Sequence, residues 1–415
     1  MNAPADVPGG SAATIARAVA ALGEGPLTEA GIEEHLAPLF SRVLERRKIA
    51  IDLANHSLGR PLDATAADVA EAIVLWQRHL GDAWDEWLEE MRAFRARLAA
   101  LLHAPRPDCV VPKSSAGQGL RAILNTYDGV PRVVATRAEF DSVDLILRQY
   151  ARRGRITLSW VEPREGGLLA AEDLRTAMRR GVDLVVVSQV VFTTGQVLPE
   201  LAALIAQAHG IGARVLVDVY HSLGVFPVEI DALDADFAIG GSYKYLRGGP
   251  GACFLYLHPR HLDGSLSTLD TGWFAKTDPF AYERPEPPRF AAGGDAFLES
   301  TPAVLPLYQA RAGQVFALAL GAGRLRAYSL QQLRRLVGLL RDRGVAAEGG
   351  TPDRGAFAVV RDAHAVALAT VLQERGVRAD ARGPYLRLCP DVLTTDAELA
   401  TAAQAIAAVR ADRNI

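Results

Sequence analysis

Residues 214–257 read RVLVDVYHSLGVFPVEIDALDADFAIGGSYKYLRGGPGACFLYL, and this stretch decides the fold class. It contains three short apolar runs, at 214–219, 237–240 and 252–257, each bounded by glycine, proline or polar turn residues. Continuous apolar runs of this length are typical of strands that are buried on both faces of a parallel sheet. The stretch therefore predicts three strands of a covered sheet.

The alternation of strands and helices begins well before this stretch. A helix predicted at 200–209 is followed by Gly210 and Gly212 and then by a buried strand, which is the second half of a βαβ unit. Similar β-branched runs recur from residue 108 to residue 260. The sequence therefore predicts an α/β protein with a largely parallel seven-stranded sheet, its strands at 109–111, 132–136, 156–161, 184–189, 214–219, 237–240 and 252–257.

The segments on either side of the sheet region are mostly helical. Apolar spacing predicts a helix over 28–48 that ends near Lys48, one or two helices over 66–103, and a long helical region over 303–342. Residues 355–415 are predicted to form strand, helix, strand and helix, which suits a smaller α+β domain. We expect this division: residues 1–60 contribute to the small domain, 61–290 form the large domain, and 291–415 form the small C-terminal α+β domain.

Composition and charge exclude several classes of function. The 415 residues include 45 basic and 48 acidic side chains, so no broad positive field is available to recruit nucleic acid or an anionic membrane. Three separated cysteines without CxxC spacing argue against a disulfide framework or a zinc site. A signal-peptide pattern is absent, and no apolar run approaches the roughly 18 residues of a membrane span. We expect a cytoplasmic protein that binds neither nucleic acid, membrane nor metal.

Asp218 ends an otherwise apolar strand, and a carboxylate buried there needs a cation, a metal or a helix end as its partner. Ligands of doubly wound sheets bind at the carboxyl ends of the strands, where Asp218 lies. A magnesium–nucleotide site would require GxxxxGK[ST], but none of the four lysines follows a glycine. A dinucleotide site would require GxGxxG between an early strand and a helix, which the sequence lacks.

Pyridoxal phosphate is the cofactor that these residues suit. It needs a lysine for a Schiff base, an acid for its pyridine nitrogen, a phosphate cradle and a flat side chain over its ring. Lys244 follows a predicted strand 26 residues after Asp218, within GGSYKYLRGG, and only four of the 45 basic residues are lysines. Because neighbouring parallel strands end at one edge of the sheet, Lys244 and Asp218 can reach the same ring.

The other two features follow the first two predicted strands. Residues 112–119 read PKSSAGQG before a helix, so Ser115 and Ala116 can offer backbone N–H groups to a phosphate, with a plain serine N-cap as the alternative. Phe140 stands in EFDS after the next strand, and core packing is the alternative for its ring. The sequence thus predicts a pyridoxal phosphate site at the strand ends.

Several segments resemble one known family. Residues 218–257 closely resemble the lysine region of kynureninases, which belong to the class V aminotransferase group of fold-type I pyridoxal phosphate enzymes. The resemblance implies the fold-type I architecture and hydrolysis of an amino acid between Cβ and Cγ, which releases alanine. Four further segments resemble family motifs: ANHSLGRP at 54–61 (GNSLG), VSQVVFTTGQ at 187–196 (YxTGQ), TGWFAKTDPF at 271–280 (GWxGHxxPF) and LRLCP at 386–390 (the arginine strand).

Carried over position by position, the resemblance implies roles in catalysis and cofactor binding. By this resemblance Lys244 forms the Schiff base and moves protons, Asp218 pairs with the pyridine nitrogen, and Tyr243 reaches the phosphate or transfers protons. The other implied cofactor contacts are Ser115 and Ala116 at the phosphate, Phe140 on the ring, His221 beside Asp218, and Ser142 and Ser188.

The resemblance also implies a second subunit and a substrate pocket. Trp273 and Thr301 match positions that complete the phosphate site from the partner subunit, which implies a homodimer with shared active sites. Arg387 matches the arginine that binds the α-carboxylate of an amino-acid substrate, a role that suits a planar bidentate donor. His56 and Ser57 are implied to lie near the substrate.

The sequence departs from the family pattern in the segments that are expected to contact the substrate. His56 replaces an asparagine of the family turn, and residues 189–195 read QVVFTTG where bacterial kynureninases show HVNYRTG. A cysteine desulfurase would need a nucleophilic cysteine on the loop where this chain has Leu372. A class V aminotransferase or β-lyase acting on another amino acid stays open, as does a non-catalytic homologue, although the intact Lys244 and Asp218 argue against the latter.

Overall fold

The computed structural model describes residues 10–45 and 50–412. The segments predicted as helical at 66–103 and 303–342 each contain two helices. Within the described residues the α-helices are α1 (Gly10–Ala21), α2 (Glu29–Gly31), α3 (Ser41–Leu44), α4 (Ala64–His79), α5 (Ala83–Leu102), α6 (Ala116–Leu124), α7 (Asp141–Arg152), α8 (Ala171–Ala177), α9 (Leu201–Gly210), α10 (Ile230–Leu233), α11 (Val304–Leu320), α12 (Ala322–Arg341), α13 (Ala365–Glu374) and α14 (Asp396–Ala411).

The prediction of one continuous helix over 28–48 is wrong. The chain forms the short α2, a π-helical turn at Ile32–Leu36, a 3₁₀ turn at Ala37–Phe40 and the short α3. Pro38 interrupts the helical hydrogen bonding because it has no N–H to donate. The predicted end near Lys48 lies outside the described residues.

All seven predicted strands of the main sheet are present, each within two residues of its predicted bounds. The fold class predicted from the sequence is therefore confirmed. The strands are β2 (Val110–Lys113), β3 (Arg132–Thr136), β4 (Thr157–Val161), β5 (Leu184–Ser188), β6 (Arg214–Asp218), β7 (Phe237–Gly241) and β8 (Cys253–Leu257).

The order of the strands places the functional loops at one edge. The sheet runs β2-β8-β7-β6-β5-β3-β4, and β8 alone runs antiparallel to the other six strands. Strands β3, β5, β6 and β7 are mutually parallel, so their carboxyl ends meet at the same edge of the sheet. This edge is where a doubly wound sheet binds its ligand.

Burial explains why the central strands are continuous apolar runs. Every residue of β5, β7 and β8 is buried, whereas the edge strand β4 alternates between exposed and half-buried positions up to its buried last residue. Helix α6 packs against β7 and β8, and α9 packs against β6. Each fully buried Val, Leu or Ile side chain contributes roughly 1.5–3 kcal/mol, which makes this layer the principal apolar core.

A second, smaller apolar cluster joins the two ends of the chain. Strands β9 (Ala358–Arg361), β11 (Asp380–Arg382) and β12 (Tyr385–Leu388) form an antiparallel sheet in the order β11-β12-β9. The N-terminal β1 (Ile51–Asp52) pairs in parallel with β10 (Val377–Arg378) beside it. Leu53 is buried in the same cluster as residues of α12, α13 and α14. The domain boundaries at 60 and 290 stay a prediction.

Among the described residues, no helix is both long and apolar enough to cross a bilayer.

Candidate active site

A cavity of about 460 Å³ opens at the carboxyl ends of the parallel strands. Its wall combines apolar and aromatic surface with a few polar groups, as is usual for small-molecule sites. Nine of the residues predicted to bind the cofactor line it: Ser115, Ala116, Phe140, Ser142, Ser188, Asp218, His221, Tyr243 and Lys244.

The polar residues converge because consecutive strands deliver them to one edge. Asp218 is the last residue of β6, and Ser188, its register partner, is the last residue of β5. Lys244 follows β7, the neighbour of β6 on the other side. Strand pairing, and not proximity in sequence, therefore sets the spacing of these three side chains.

Lys244 is buried, with 5% of its surface exposed. Its Nζ lies 2.5 Å from His221 Nε2 and about 5 Å from the centre of the Tyr220 ring. Burial holds the pKa of Lys244 well below its usual range, although the negative charge of Asp218 opposes this shift. A low pKa favours the neutral amine, which is the form that attacks a carbonyl carbon.

Asp218 is a buried carboxylate that lacks a protein cation. Its Oδ1 accepts a hydrogen bond of 2.8 Å from the backbone N–H of Tyr220. Within the described residues, no arginine, lysine or histidine nitrogen lies within 4 Å of its carboxylate oxygens. Burial raises the pKa of Asp218, against the Tyr220 hydrogen bond and the charge of Lys244. A carboxylate in this position suits a protonated ring nitrogen of a ligand in the cavity.

The N-terminus of α6 forms another part of the wall. Ser115 is its N-cap, and the Ser115 hydroxyl accepts a hydrogen bond from Gln118 N at 3.2 Å. The first-turn N–H groups of a helix have no partners within the helix and attract anions such as phosphate. Gly117 is tightly packed, since a Cβ atom there would lie 3.0 Å from the Ile146 side chain.

The donor set of the cavity fits pyridoxal phosphate. It combines a low-pKa lysine, an unpaired buried carboxylate, a helix N-terminus and the half-buried aromatic ring of Phe140. His221 adds a buried imidazole whose Nδ1 makes no hydrogen bond within the described part of the chain. Burial lowers the pKa of His221, so this imidazole is neutral beside Lys244.

Trp273 and Thr301 do not line the cavity of their own chain. Trp273 Nε1 donates a hydrogen bond of 3.1 Å to Thr301 Oγ1, and Thr301 lines a neighbouring pocket of about 200 Å³ that shares Ser114 with the main cavity. Their contribution from a partner subunit stays a prediction.

Three residues predicted for the substrate lie behind the cavity wall: Arg387, His56 and Ser57. Arg387 is 2% exposed and binds the Asp380 carboxylate through Nε, at 2.8 Å, and through Nη2. Ser57 Oγ donates to the other oxygen of Asp380 at 2.5 Å. His56 stacks on Phe357, with 5.0 Å between the ring centroids. Burial lowers the pKa of His56 to about 4, so its imidazole is neutral near pH 7.

Sequence reasoning missed two carboxylates near the site, the half-buried Asp380 and the buried Glu139. Asp380 pairs across the β11–β12 hairpin with Arg387, and the turn at Gly383 and Pro384 between them was a usable signal. Glu139 accepts hydrogen bonds from the hydroxyls of Thr136 and Ser188, each at 2.6 Å. Burial raises the pKa of Glu139 to about 7. No local pattern signalled the contact of Glu139 with Ser188, because the two residues are 49 positions apart.

Comparisons with known proteins agree with this geometry. The family model described as aminotransferase class-V matches residues 62–386. This chain belongs to the class-V aminotransferase family. It is 32% identical over 353 residues to a kynureninase from Deinococcus radiodurans, covering 80% of this chain and 83% of that protein. It is 27% identical over 378 residues to a kynureninase from Bacillus thuringiensis subsp. konkukian, covering 85% and 86%.

Solved structures share the fold at lower identity. A cysteine desulfurase from Thermococcus onnurineus NA1 superposes with a TM-score of 0.76 at 18% identity, covering 88% of this chain and 95% of that chain. A C-DES mutant with glycine covalently linked to its PLP cofactor gives a TM-score of 0.76 at 20% identity, covering 89% and 98%. The protein is a kynureninase-like member of its family and a pyridoxal phosphate-dependent enzyme of amino-acid metabolism, which confirms the predicted family, enzyme class and cofactor.

Proposed function

We propose that this class-V enzyme hydrolyses the Cβ–Cγ bond of an amino acid that carries a ketone at Cγ, as L-kynurenine does. One water is consumed: its oxygen joins the acyl carbon, which leaves as a carboxylic acid, and the remaining three carbons leave as alanine. The observation that carries the proposal is the 32% identity to a kynureninase over 80% of the chain.

The central residue of this proposal is Lys244. When bound, pyridoxal phosphate supplies an electron sink for the negative charge that develops at the substrate α-carbon. Lys244 Nζ, with its pKa lowered by burial, accepts the α-proton and returns a proton when the product forms. His221 Nε2, 2.5 Å away, holds the amine in place and competes little for the proton, because burial lowers the pKa of this imidazole well below its usual value and makes it a weak base.

Four further residues bind and orient the cofactor in this proposal. The Asp218 carboxylate holds a proton on the ring nitrogen, because it has no protein cation to pair with. Ser115 and the first turn of α6 bind the phosphate. Phe140 packs against the ring face. Tyr243 keeps its phenolic proton at neutral pH, because burial raises its pKa to about 12, and it therefore acts as a hydrogen-bond donor.

The experiment is incubation of the purified holoenzyme with L-kynurenine and a panel of other amino acids, with products identified by mass. We expect equal amounts of alanine and 2-aminobenzoate from L-kynurenine. Lys244→Ala, which should retain the fold, serves as the blank. Keto acid without alanine, or pyruvate with ammonia, would overturn the hydrolytic proposal and identify a transaminase or a β-lyase.

One observation favours that second candidate, an aminotransferase or β-lyase acting on a different amino acid. Val191 and Thr193 stand where bacterial kynureninases have polar Asn and Arg residues, and the neighbouring Val190 and Phe192 present apolar side chains to the cavity. Such a wall suits an apolar substrate side chain at least as well as an aryl ketone with an amino group. The amino-acid panel separates these possibilities.

We also propose a homodimer in the cytoplasm. Exposed apolar side chains, including Trp76 at 59% and Leu269 at 72%, support burial against a second copy. Cys109, Cys253 and Cys389 are all free and buried, which is compatible with a reducing compartment.

A further inference from the structure

The Asp380 carboxylate accepts hydrogen bonds from Arg387, the residue predicted to bind the substrate α-carboxylate. Asp380 on β11 and Arg387 on β12 are direct cross-strand partners. Arg387 is buried, and the Asp380 side chain is 12% exposed. A buried arginine normally needs such a partner, so the pair could be purely structural. The hydrogen bonds of the guanidinium indicate that it also keeps donors available for a ligand.

A guanidinium has five N–H donors, and the described residues use three of them on Arg387. Asp380 Oδ1 accepts from Nε and from Nη2, and the backbone oxygen of Phe192 accepts from Nη1. One N–H on each terminal nitrogen therefore remains, which is the number that a bidentate carboxylate requires. Because Phe192 lines the cavity, its contact with Nη1 brings the guanidinium to the cavity wall.

Asp380 is itself held firmly on its other side. Ser57 Oγ donates to its Oδ2 at 2.5 Å, and Arg382 Nη1 lies 3.8 Å from the same oxygen. His56 Nε2 lies 3.8 Å from Oδ1. With its backbone in a sheet and both oxygens contacted, Asp380 is not free to leave when a substrate arrives.

We propose that Asp380 is the positioning residue of the carboxylate site: it binds Arg387 through one edge and so presents the two remaining N–H groups to the substrate α-carboxylate. The proposal rests on the predicted role of Arg387 within the proposed function. It extends the site to Ser57, whose hydroxyl fixes Asp380, and it explains why a buried arginine can be both paired and available.

The test measures ligand binding to the holoenzyme through the absorbance of its cofactor. L-Alanine is the carboxylate-bearing ligand, and ethylamine is the same molecule without the carboxylate. In Asp380→Ala, the dissociation constant of L-alanine should rise about 10- to 100-fold, the range expected for loss of charge-assisted hydrogen bonds. That of ethylamine should change less than about twofold. Asp380→Asn, which keeps an acceptor oxygen, should fall between wild type and Asp380→Ala for L-alanine.

Arg361→Ala is the matched control, because it removes an exposed positive charge from β9 of the same three-stranded sheet, outside the contacts of Asp380 and Arg387, and it should bind both ligands like wild type. Equal weakening of both ligands in Asp380→Ala, or tighter binding of L-alanine, would overturn the proposal; the second result would identify Asp380 as a competitor of the substrate. If Asp380→Ala fails to fold, the same comparison in Asp380→Asn decides. Binding is read without turnover, so failure to hydrolyse L-kynurenine leaves this test intact.

Discussion

The burial of single ionisable residues explains the protonation of most polar groups in the site. Lys244, Asp218, Glu139 and His221 are all buried, and burial opposes the charged form of each. His221 is therefore neutral where it contacts Lys244, and Glu139, whose pKa burial raises to about 7, accepts hydrogen bonds from two hydroxyl groups. Among the described residues Asp218 has no cationic side chain within 4 Å, and its burial is offset only in part by the Tyr220 hydrogen bond and the charge of Lys244. It is therefore where substitution should be most informative.

We predict that Asp218→Asn binds pyridoxal phosphate but loses nearly all turnover. An amide cannot hold a proton on the ring nitrogen, so the electron sink fails while the phosphate and ring contacts remain. The measurements are cofactor absorbance after dialysis and the turnover number with the best substrate of the panel. Near-normal turnover would give Asp218 a structural role instead.

Contacts between elements hold the lysine loop in place. Gly59 N donates a hydrogen bond of 2.8 Å to Tyr243 O, and a Cβ atom at Gly59 would lie 1.9 Å from Lys244 O. Only glycine permits this approach of the N-terminal turn to the lysine loop. The turn that resembles the family GNSLG motif thus packs directly against the residue that defines the cofactor site.

At the opposite edge of the sheet, Asp236 ties β7 to its neighbours. It is 2% exposed and accepts hydrogen bonds of 2.8 Å from His209, from His261 and from the backbone N–H of Val215. Burial would raise the pKa of Asp236, but the hydrogen bonds from His261 and His209 outweigh burial and hold it below its ordinary value. The ionised carboxylate therefore stabilises the fold above the ordinary carboxyl pKa.

Asp236→Asn should lower the free energy of unfolding by about 2–4 kcal/mol at pH 7, because an amide loses the charge-assisted bonds. Stability from a depressed carboxyl pKa is lost as pH falls through about 4 and below, so the penalty should shrink in that range as the wild-type carboxylate is protonated. Urea unfolding from pH 7 to pH 3 measures it, with the exposed Asp128→Asn as control. A penalty that is independent of pH would contradict the assignment.

At the scale of the whole molecule, the exposed apolar surface of the chain supports association with a second copy. Trp273 and Thr301 bond to each other outside the cavity that their family positions are expected to complete. Large apolar side chains are exposed on the same chain, among them Tyr282 at 73% and Phe290 at 45%. A two-fold dimer would bury such surface and let each chain complete the site of the other.

We predict that two inactive variants restore activity when mixed. Lys244→Ala lacks the lysine, and Trp273→Ala combined with Thr301→Ala lacks the residues proposed to act in the partner's site. In a mixed dimer one site has all its residues, so after exchange of subunits activity should return to about a quarter of wild type. Sedimentation should show a dimer. If mixed dimers form but activity does not return, Trp273 and Thr301 act in the active site of their own chain and not in that of the partner.

The local sequence determined the seven strands and the identity of the cofactor. Strands such as β5 and β7 were predictable because a strand buried on both faces must be apolar throughout, and turns must bound it. Asp218 and Lys244 were predictable because a charged residue at the end of such a strand has few explanations. The apolar runs and the charged residues at their ends can each be recognised within a few consecutive residues of the sequence.

Only the tertiary structure decided which distant segments meet. The pairing of β1 with β10, and the approach of Gly59 to Lys244, depend on packing between parts of the chain that share no local pattern. The Asp380 carboxylate accepts a hydrogen bond from Ser57, which is 323 residues away in the sequence. Hydrophobic periodicity reports which face of an element is buried, but not what lies against it; that choice is made by the fit of whole surfaces when the chain folds.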